Sequence, residues 1–157
     1  MSPPDPSNAF QKAHAQLLLS SFHQLTGNEL VPPGPDAAKR LFEAPFFVAS
    51  HSPDADPILT YGNLTALDLF EMTWDEFTST PSRFTAEAPL REERARLLER
   101  VTKHGYIDDY SGIRISRSGK RFQIRQATVW NLVAPNGRVM GQAATFNTWN
   151  QVASARS

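Results

Sequence analysis

The fold of this 157-residue chain is decided by the stretch Tyr61-Gly62-Asn63, which runs directly into an apolar segment from Thr65 to Phe77. Asn63 is placed to cap a helix over residues 65–70, because its side-chain oxygen can accept from an unpaired amide of the first turn. Thr73 followed three residues later by Glu76 forms a capping box for a second, short helix. The stretch therefore predicts a capping asparagine, a helix and a short helix in immediate succession.

Upstream of that stretch, the sequence predicts a separate amino-terminal helix and two strands. The Pro-rich residues 1–7 are expected to be a disordered leader, and residues 8–29 a helix that Gly27 ends. Residues 30–44 are expected to be a Pro-rich linker and a short helix. The apolar run Pro45-Phe-Phe-Val-Ala-Ser50 has strand length, and residues 58–61 follow it as a second strand after a turn.

Downstream, the sequence predicts one amphipathic helix and three strands joined by tight turns. The helix spans Leu90 to His104 and ends at Gly105. The strands cover residues 109–117, 121–133 and 139–149, and such local hairpins form an antiparallel meander. Alternation along the middle strand predicts one core-facing set directed at the helices, which consists of Phe122, Ile124, Gln126, Thr128, Trp130 and Leu132.

Four segments in this order resemble the MEKHLA family, a PAS-like domain found alone in bacteria and at the carboxyl end of plant class III homeodomain-leucine zipper proteins. They are Asp109-Tyr-Ser-Gly-Ile-Arg-Ile-Ser116, Gly119-Lys-Arg-Phe122, Ala127-Thr-Val-Trp-Asn-Leu132, and Gly141-Gln-Ala-Ala144 with Phe146. The resemblance extends from about Phe10 to Trp149.

The resemblance implies an α+β fold. We expect a PAS-like five-stranded antiparallel sheet with helices on one face and an additional amino-terminal helix. The PAS-like domain would occupy residues 45–149 and a carboxyl-terminal tail residues 150–157. A small module of this kind senses a ligand or binds a partner, and no output domain is expected within the chain.

Composition excludes several classes of function. Sixteen Lys and Arg residues balance sixteen Asp and Glu residues, so no net field attracts nucleic acid or an anionic membrane. Cysteine is absent, which excludes disulfides, thiolate metal sites, iron–sulfur clusters and cysteine nucleophiles. The amino terminus lacks the features of a signal peptide, and no apolar stretch approaches membrane-spanning length. We therefore expect a cytoplasmic protein that engages neither nucleic acid nor membrane.

Catalytic, haem and metal chemistry are not predicted. No two histidines among His14, His23, His51 and His104 have close ligand spacing. Aspartates follow His51 in residues 52–57, but that composition is typical of an Asx turn. No serine lies in a nucleophile-elbow context, so we do not expect an enzyme.

A second, local resemblance bears on whether the chain binds a flavin. Thr80-Pro-Ser82-Arg83-Phe84 is similar to the reactive-cysteine segment of photosensory LOV domains, with Ser82 at the cysteine position. Gln142 stands where those domains carry the glutamine that contacts the flavin, whereas their two flavin-binding asparagines correspond to Arg114 and Ile124. The resemblance implies that no flavin–cysteinyl adduct forms and does not indicate flavin, although noncovalent binding through other contacts stays open.

Polar side chains on otherwise apolar strands, opposite apolar helices, predict a small-molecule cavity. An alternative is that the aromatic side chains fill the core and that Gln142 is a buried amide satisfied by the backbone. The candidate ligand-binding residues are Leu67, Phe70, Phe77, Ile124, Gln126, Thr128 and Gln142.

Two functions remain open at this point. The first is a sensor whose small, mostly apolar ligand biases docking of the amino-terminal helix, and the second is a ligand-free module that pairs with an identical chain or another protein. The helix can dock on its own sheet or on a second copy. The candidate interaction surface comprises the helix stripe Phe10, Leu17, Leu18, Phe22 and Leu25, together with Val129 and its neighbours Ala127 and Ala143 on the outer face of the sheet.

Overall fold

The computed structural model describes residues 3–85 and 91–152. Within these ranges, five α-helices surround one antiparallel sheet of six strands. The helices are α1 (Lys12–Thr26), α2 (Ala37–Phe42), α3 (Leu64–Phe70), α4 (Trp74–Phe77) and α5 (Arg91–His104). The strands are β1 (Phe47–His51), β2 (Leu59–Gly62), β3 (Tyr106–Ile115), β4 (Arg121–Val133), β5 (Val139–Phe146) and β6 (Trp149–Val152).

The sheet has the strand order β2-β1-β5-β4-β3, which confirms the predicted PAS-like arrangement. The predicted last strand over 139–149 is interrupted after Phe146. Strand β5 pairs with the second half of β4, for example Ala144 with Val129, and β6 continues along its first half, where Trp149 pairs with Ile124. Residues 150–152 therefore belong to the sheet rather than to the predicted tail.

The predicted Asn63 cap of α3 is present, and the Asn63 side chain also forms hydrogen bonds with residues outside the helix. Its Oδ1 accepts from the backbone N–H of Ala66 at 3.1 Å and of Val48 at 3.2 Å. Its Nδ2 donates to the carbonyls of Leu41 at 3.2 Å and Phe46 at 2.8 Å. One buried amide thus ties α3 to β1 and to the segment around α2.

Strand β4 contains a bulge that the alternation of the sequence does not reveal. Ile124 pairs with Gly112 and Ala127 with Tyr110, so three steps along β4 oppose two along β3. Gln126, the extra residue, has φ 51 in the left-handed region. Beyond the bulge every side chain changes face, so the prediction of one continuous core-facing set was wrong. The set that continues the face of Ile124 is Ala127, Val129 and Asn131.

Helices α3 and α5 cover this first face of the sheet. Leu97 and Val101 of α5 pack on Val129 and Ile107, and all four side chains are buried. Phe70 of α3 contacts Phe47 on β1 and Phe122 on β4, with ring centroids 5.6 and 5.4 Å apart. The space in which PAS-like ligand binding was expected therefore lies between these two helices and the sheet.

Helix α1 covers the opposite face, apart from α3 and α5 as predicted, and it also contacts α2. The ring of Phe22 meets Trp130 edge-on at 4.9 Å, and Ser21 Oγ accepts from the amide of Val133 at 2.8 Å. Trp130 was predicted to be buried against the other helices. It is fully buried, but beneath α1, because the bulge turns it to this face.

Helix α1 begins four residues later than predicted. Residues 6–8 form one 3₁₀ turn, in which Asp5 accepts from the amide of Ser7 at 2.7 Å. Residues 9–11 then take φ values between 52° and 55°, which no right-handed helix can contain. Gly27, with φ 78, ends the helix as expected.

Candidate functional site

A cavity of about 80 Å³ lies between the sheet and helices α3 and α5. An engineered apolar cavity of about 150 Å³ holds benzene, so this one has room for roughly three carbon atoms. Its wall is mainly apolar and is formed by side chains that include Phe47, Ala49, Phe70, Leu97, Val129 and Phe146. The polar residues in the wall are Ser50, His51, Ser82, Thr85, Tyr110, Arg114 and Gln142.

The amide of Gln142 is oriented by a short chain of hydrogen bonds. Asn131 Nδ2 donates to the carbonyl of Val101 at 3.2 Å, and a carbonyl can only accept, so Asn131 Oδ1 points away from α5. Gln142 Nε2 donates to that oxygen at 3.1 Å. Its own Oε1 is buried and has no hydrogen-bond partner. Gln142, which lines the cavity, therefore carries an unsatisfied acceptor, and the orientation of its amide is fixed through Asn131 by the backbone of α5.

Three of the seven predicted ligand-binding residues line the cavity, namely Phe70, Ile124 and Gln142. Leu67 and Phe77 are buried in the surrounding core instead. Gln126 is exposed at the bulge of β4. Thr128 follows the bulge and therefore lies on the opposite face, where it pairs with Thr145. The inclusion of Gln126 and Thr128 is corrected for this reason.

The predicted interaction stripe of α1 faces the protein's own sheet. Leu18 and Phe22 are buried, whereas Phe10, Leu17 and Leu25 are partly buried against the same core. Val129 was predicted on the outer face, but it lies beneath α5 because of the bulge. Ala127 and Ala143 are also buried, so this part of the sheet is not an exposed surface.

Two titratable side chains meet beneath α1. His14 stacks on Tyr61 with ring centroids 5.5 Å apart, and its Nε2 lies 2.9 Å from Ser50 Oγ. Burial lowers the pKa of His14 to about 4 and raises the pKa of Tyr61. Both side chains are therefore uncharged at neutral pH, as the apolar interface between α1 and the sheet requires.

A carboxylate joins the end of α3 to the turn between β3 and β4. Glu71 accepts hydrogen bonds from the hydroxyls of Ser116 and Ser118, and Lys120 Nζ lies 3.5 Å from it. These hydroxyl donors lower the pKa of Glu71 to about 2. None of these four residues lines the cavity, so we interpret the cluster as a structural link between α3 and the turn from β3 to β4.

Two features are absent from the part of the chain that the structure describes. No group of three or more His, Asp or Glu side chains is placed there to hold a metal ion. Among the same residues, no helix is both long and apolar enough to cross a membrane.

The positions compared with LOV domains do come together. Ser82, Arg114, Ile124 and Gln142 all line the cavity. However, a serine hydroxyl cannot form the cysteinyl adduct, and neither Arg114 nor Ile124 offers an amide. A volume of about 80 Å³ also falls well below the roughly 300–1,000 Å³ of sites for drug-sized ligands. The residues present do not fit a flavin.

The strand order, the helices on one face and the cavity between them and the sheet define a PAS-type domain. A PAS domain from Colwellia psychrerythraea has a similar structure, with a TM-score of 0.62, 10% identity, and coverage of 73% of this chain and 92% of that one. A light-oxygen-voltage domain studied with a flavin analogue gives a TM-score of 0.57 at 16% identity, covering 74% and 84% of the two chains. At these identities the likeness concerns the fold.

The chain belongs to the MEKHLA domain family, whose family model matches residues 12–151. The homeobox-leucine zipper protein ATHB-14 of Arabidopsis thaliana is 26% identical over 99 residues, which cover 63% of this chain. The match spans 12% of the length of ATHB-14. The relationship is therefore to one domain of that larger protein.

Proposed function

We propose that this MEKHLA domain is a cytoplasmic sensory module that binds a small, mostly apolar ligand between its sheet and helices. The observation that carries the proposal is the unpartnered Gln142 Oε1 in an otherwise mainly apolar wall. Leaving a buried acceptor unsatisfied costs about 1–3 kcal/mol. A ligand of a few carbon atoms with one hydrogen-bond donor would remove that cost and fill the space.

The contacts of the cavity suggest how occupancy reaches the rest of the domain. Gln142 is linked through Asn131 to the backbone of α5. On the same strand Ala143 pairs with Trp130, which contacts Phe22 of α1. A ligand that binds one arrangement of α1 or α5 better than another shifts the population toward it, by no more than its difference in affinity.

Titration of ¹⁵N-labelled protein with 1-propanol, followed by NMR, tests ligand binding in the cavity. We expect saturable shifts of the Gln142 side-chain amide and of the backbone around Val129. The variant Gln142→Leu should bind 1-propanol more weakly, because the hydroxyl loses its acceptor. Gln151→Leu, at an exposed glutamine of β6, is the matched control. Shifts that do not saturate, or that are confined to surface residues, would contradict the proposal.

A ligand-free interaction module is the second candidate, and the interface beneath α1 favours it. Two buried polar atoms there, Tyr61 Oη and Trp130 Nε1, have no hydrogen-bond partner. The free energy of docking α1 on its own sheet is therefore less favourable than the apolar contacts alone would make it. A second copy or another protein that satisfies these atoms could compete for the same surface. Native mass spectrometry separates the candidates, since a retained small molecule supports the sensor and an empty dimer supports the interaction module.

A further inference from the structure

Arg114 introduces a positive charge into the wall of the ligand cavity. Its neighbours on the same face of β3 are Tyr110 and Gly112, because side chains two residues apart point the same way. Both Tyr110 and Arg114 line the cavity. None of the lining residues within the described part of the chain is acidic, and Arg114 is the only Lys or Arg among them.

The guanidinium of Arg114 has a neutral partner. Its Nη2 donates to the hydroxyl of Tyr110 at 3.2 Å, and the group lies 5.5 Å from the centre of the tyrosine ring. A guanidinium has five N–H donors, so this contact leaves most of them available. Asp109, an acidic residue of the same strand, is engaged by Arg100 of α5 at 3.1 and 3.3 Å. The charge of Arg114 is therefore not balanced by that carboxylate.

Gly112 explains how Arg114 is held in this position. A Cβ atom at Gly112 would come within 2.5 Å of the Tyr110 hydroxyl, so the phenol ring lies along the strand directly over this glycine. Because Gly112 has no side chain, the ring of Tyr110 can extend over it and contact Arg114, four residues further along the strand. Tyr110 and Gly112 are thus positioning residues for the guanidinium.

We propose that the ligand is a short-chain carboxylic acid bound as its carboxylate by Arg114. This inference rests on the proposed ligand cavity and adds the chemical class of its occupant. A guanidinium matches a carboxylate with two parallel hydrogen bonds, and such charge-assisted bonds are stronger than neutral ones. By the comparison with the benzene cavity, the space beside the apolar wall of Phe70, Val129 and Phe146 holds a carboxylate group with about one further carbon. A hydroxyl or amino substituent at the far end would satisfy Gln142 Oε1.

The test compares sodium acetate with acetamide, which has the same carbon skeleton and no charge. Both are titrated into ¹⁵N-labelled full-length protein and followed by NMR at the resonances of cavity residues. We expect acetate to bind about tenfold more tightly, the difference between a charge-assisted and a neutral hydrogen bond. Arg114→Gln should remove this preference while leaving the affinity for acetamide unchanged. Arg125→Gln removes the same charge at an exposed position of β4 and should retain the full preference.

One further variant and three possible outcomes complete the test. Arg114→Lys keeps the charge without the planar fork, so we expect a reduced preference, and it replaces Arg114→Gln if that variant does not fold. Equal binding of acetate and acetamide by the unaltered protein would overturn the carboxylate assignment and leave the ligand cavity in place. If neither compound nor 1-propanol binds, the cavity itself is not a ligand site. A preference that survives in Arg114→Gln would also overturn the assignment.

Discussion

Asn63 uses all four of its side-chain hydrogen-bonding positions and is completely buried. Its position as a cap was predictable, since an asparagine between a strand and an apolar helix has few other roles. The two bonds from Nδ2 to the carbonyls of Leu41 and Phe46 were not predictable. They depend on how the segment around α2 passes over β1, and nothing near Asn63 in the sequence encodes that path.

Replacing Asn63 with Asp tests these two bonds. The variant keeps the accepting oxygen but turns a second oxygen toward the carbonyls of Leu41 and Phe46. We expect a loss of about 3–5 kcal/mol at pH 7, the cost of an uncompensated buried charge. Burial raises the pKa of the new carboxyl group, so the loss relative to the unaltered protein should shrink as the pH falls from 7 to 5. Urea denaturation at both pH values measures it, with Asn150→Asp at an exposed position as control.

The contact between Trp130 and Phe22 should account for part of the docking energy of α1. Trp130→Ala is expected to cost about 3–5 kcal/mol, because a fully buried ring is removed. In a double-mutant cycle with Phe22→Ala, we expect the two losses to be non-additive by roughly 0.5–1.5 kcal/mol, as for other edge-on aromatic pairs. Thermal and urea unfolding supply the four free energies. Simple additivity would mean that the two rings do not stabilise each other.

At the scale of elements, the strands and helices were predictable, but the face of one strand was not. Alternation correctly placed Phe122 and Ile124, and it failed from Ala127 onward because of the bulge at Gln126. Glycine or asparagine would have suggested a left-handed residue, whereas glutamine gives no such signal. This single irregularity explains why Thr128 was wrongly assigned to the cavity, Val129 to the outer surface and Trp130 to the wrong helical layer.

Docking of α1 should depend on pH through His14. The folded pKa of about 4 lies below the unfolded value of 6.5, so the unfolded chain binds more protons between these values. The histidine's effect is therefore absent above pH 6.5, and stability is lost as the pH falls toward 4. Between pH 7.5 and 5 the free energy of unfolding should fall by about 1–2 kcal/mol less in His14→Gln than in the unaltered protein. His104→Gln, at an exposed position, should not reduce this fall. Equal pH dependence of both variants would contradict this.

At the scale of the whole molecule, the two faces of the sheet are covered by different helices. The cavity lies beneath α3 and α5, and α1 covers the other side, so the paired strands β4 and β5 contribute residues to both faces. The PAS-like architecture followed from motifs spread along the chain. The cavity volume and the direction of the Gln142 amide did not, because both depend on packing between residues distant in sequence.

Deleting residues 1–27 tests what α1 does for the whole domain. The deletion removes Ala15, Leu18 and Phe22 from the core and exposes Tyr61 and Trp130. Larger apolar side chains contribute roughly 1.5–3 kcal/mol each when buried, so we expect a loss of several kcal/mol and self-association through the uncovered sheet. Light scattering and urea denaturation measure both effects, and deletion of residues 1–5 alone serves as the control. If the longer deletion leaves a monomer of undiminished stability, α1 is dispensable for covering the sheet, and a signal that leaves through this helix is ruled out.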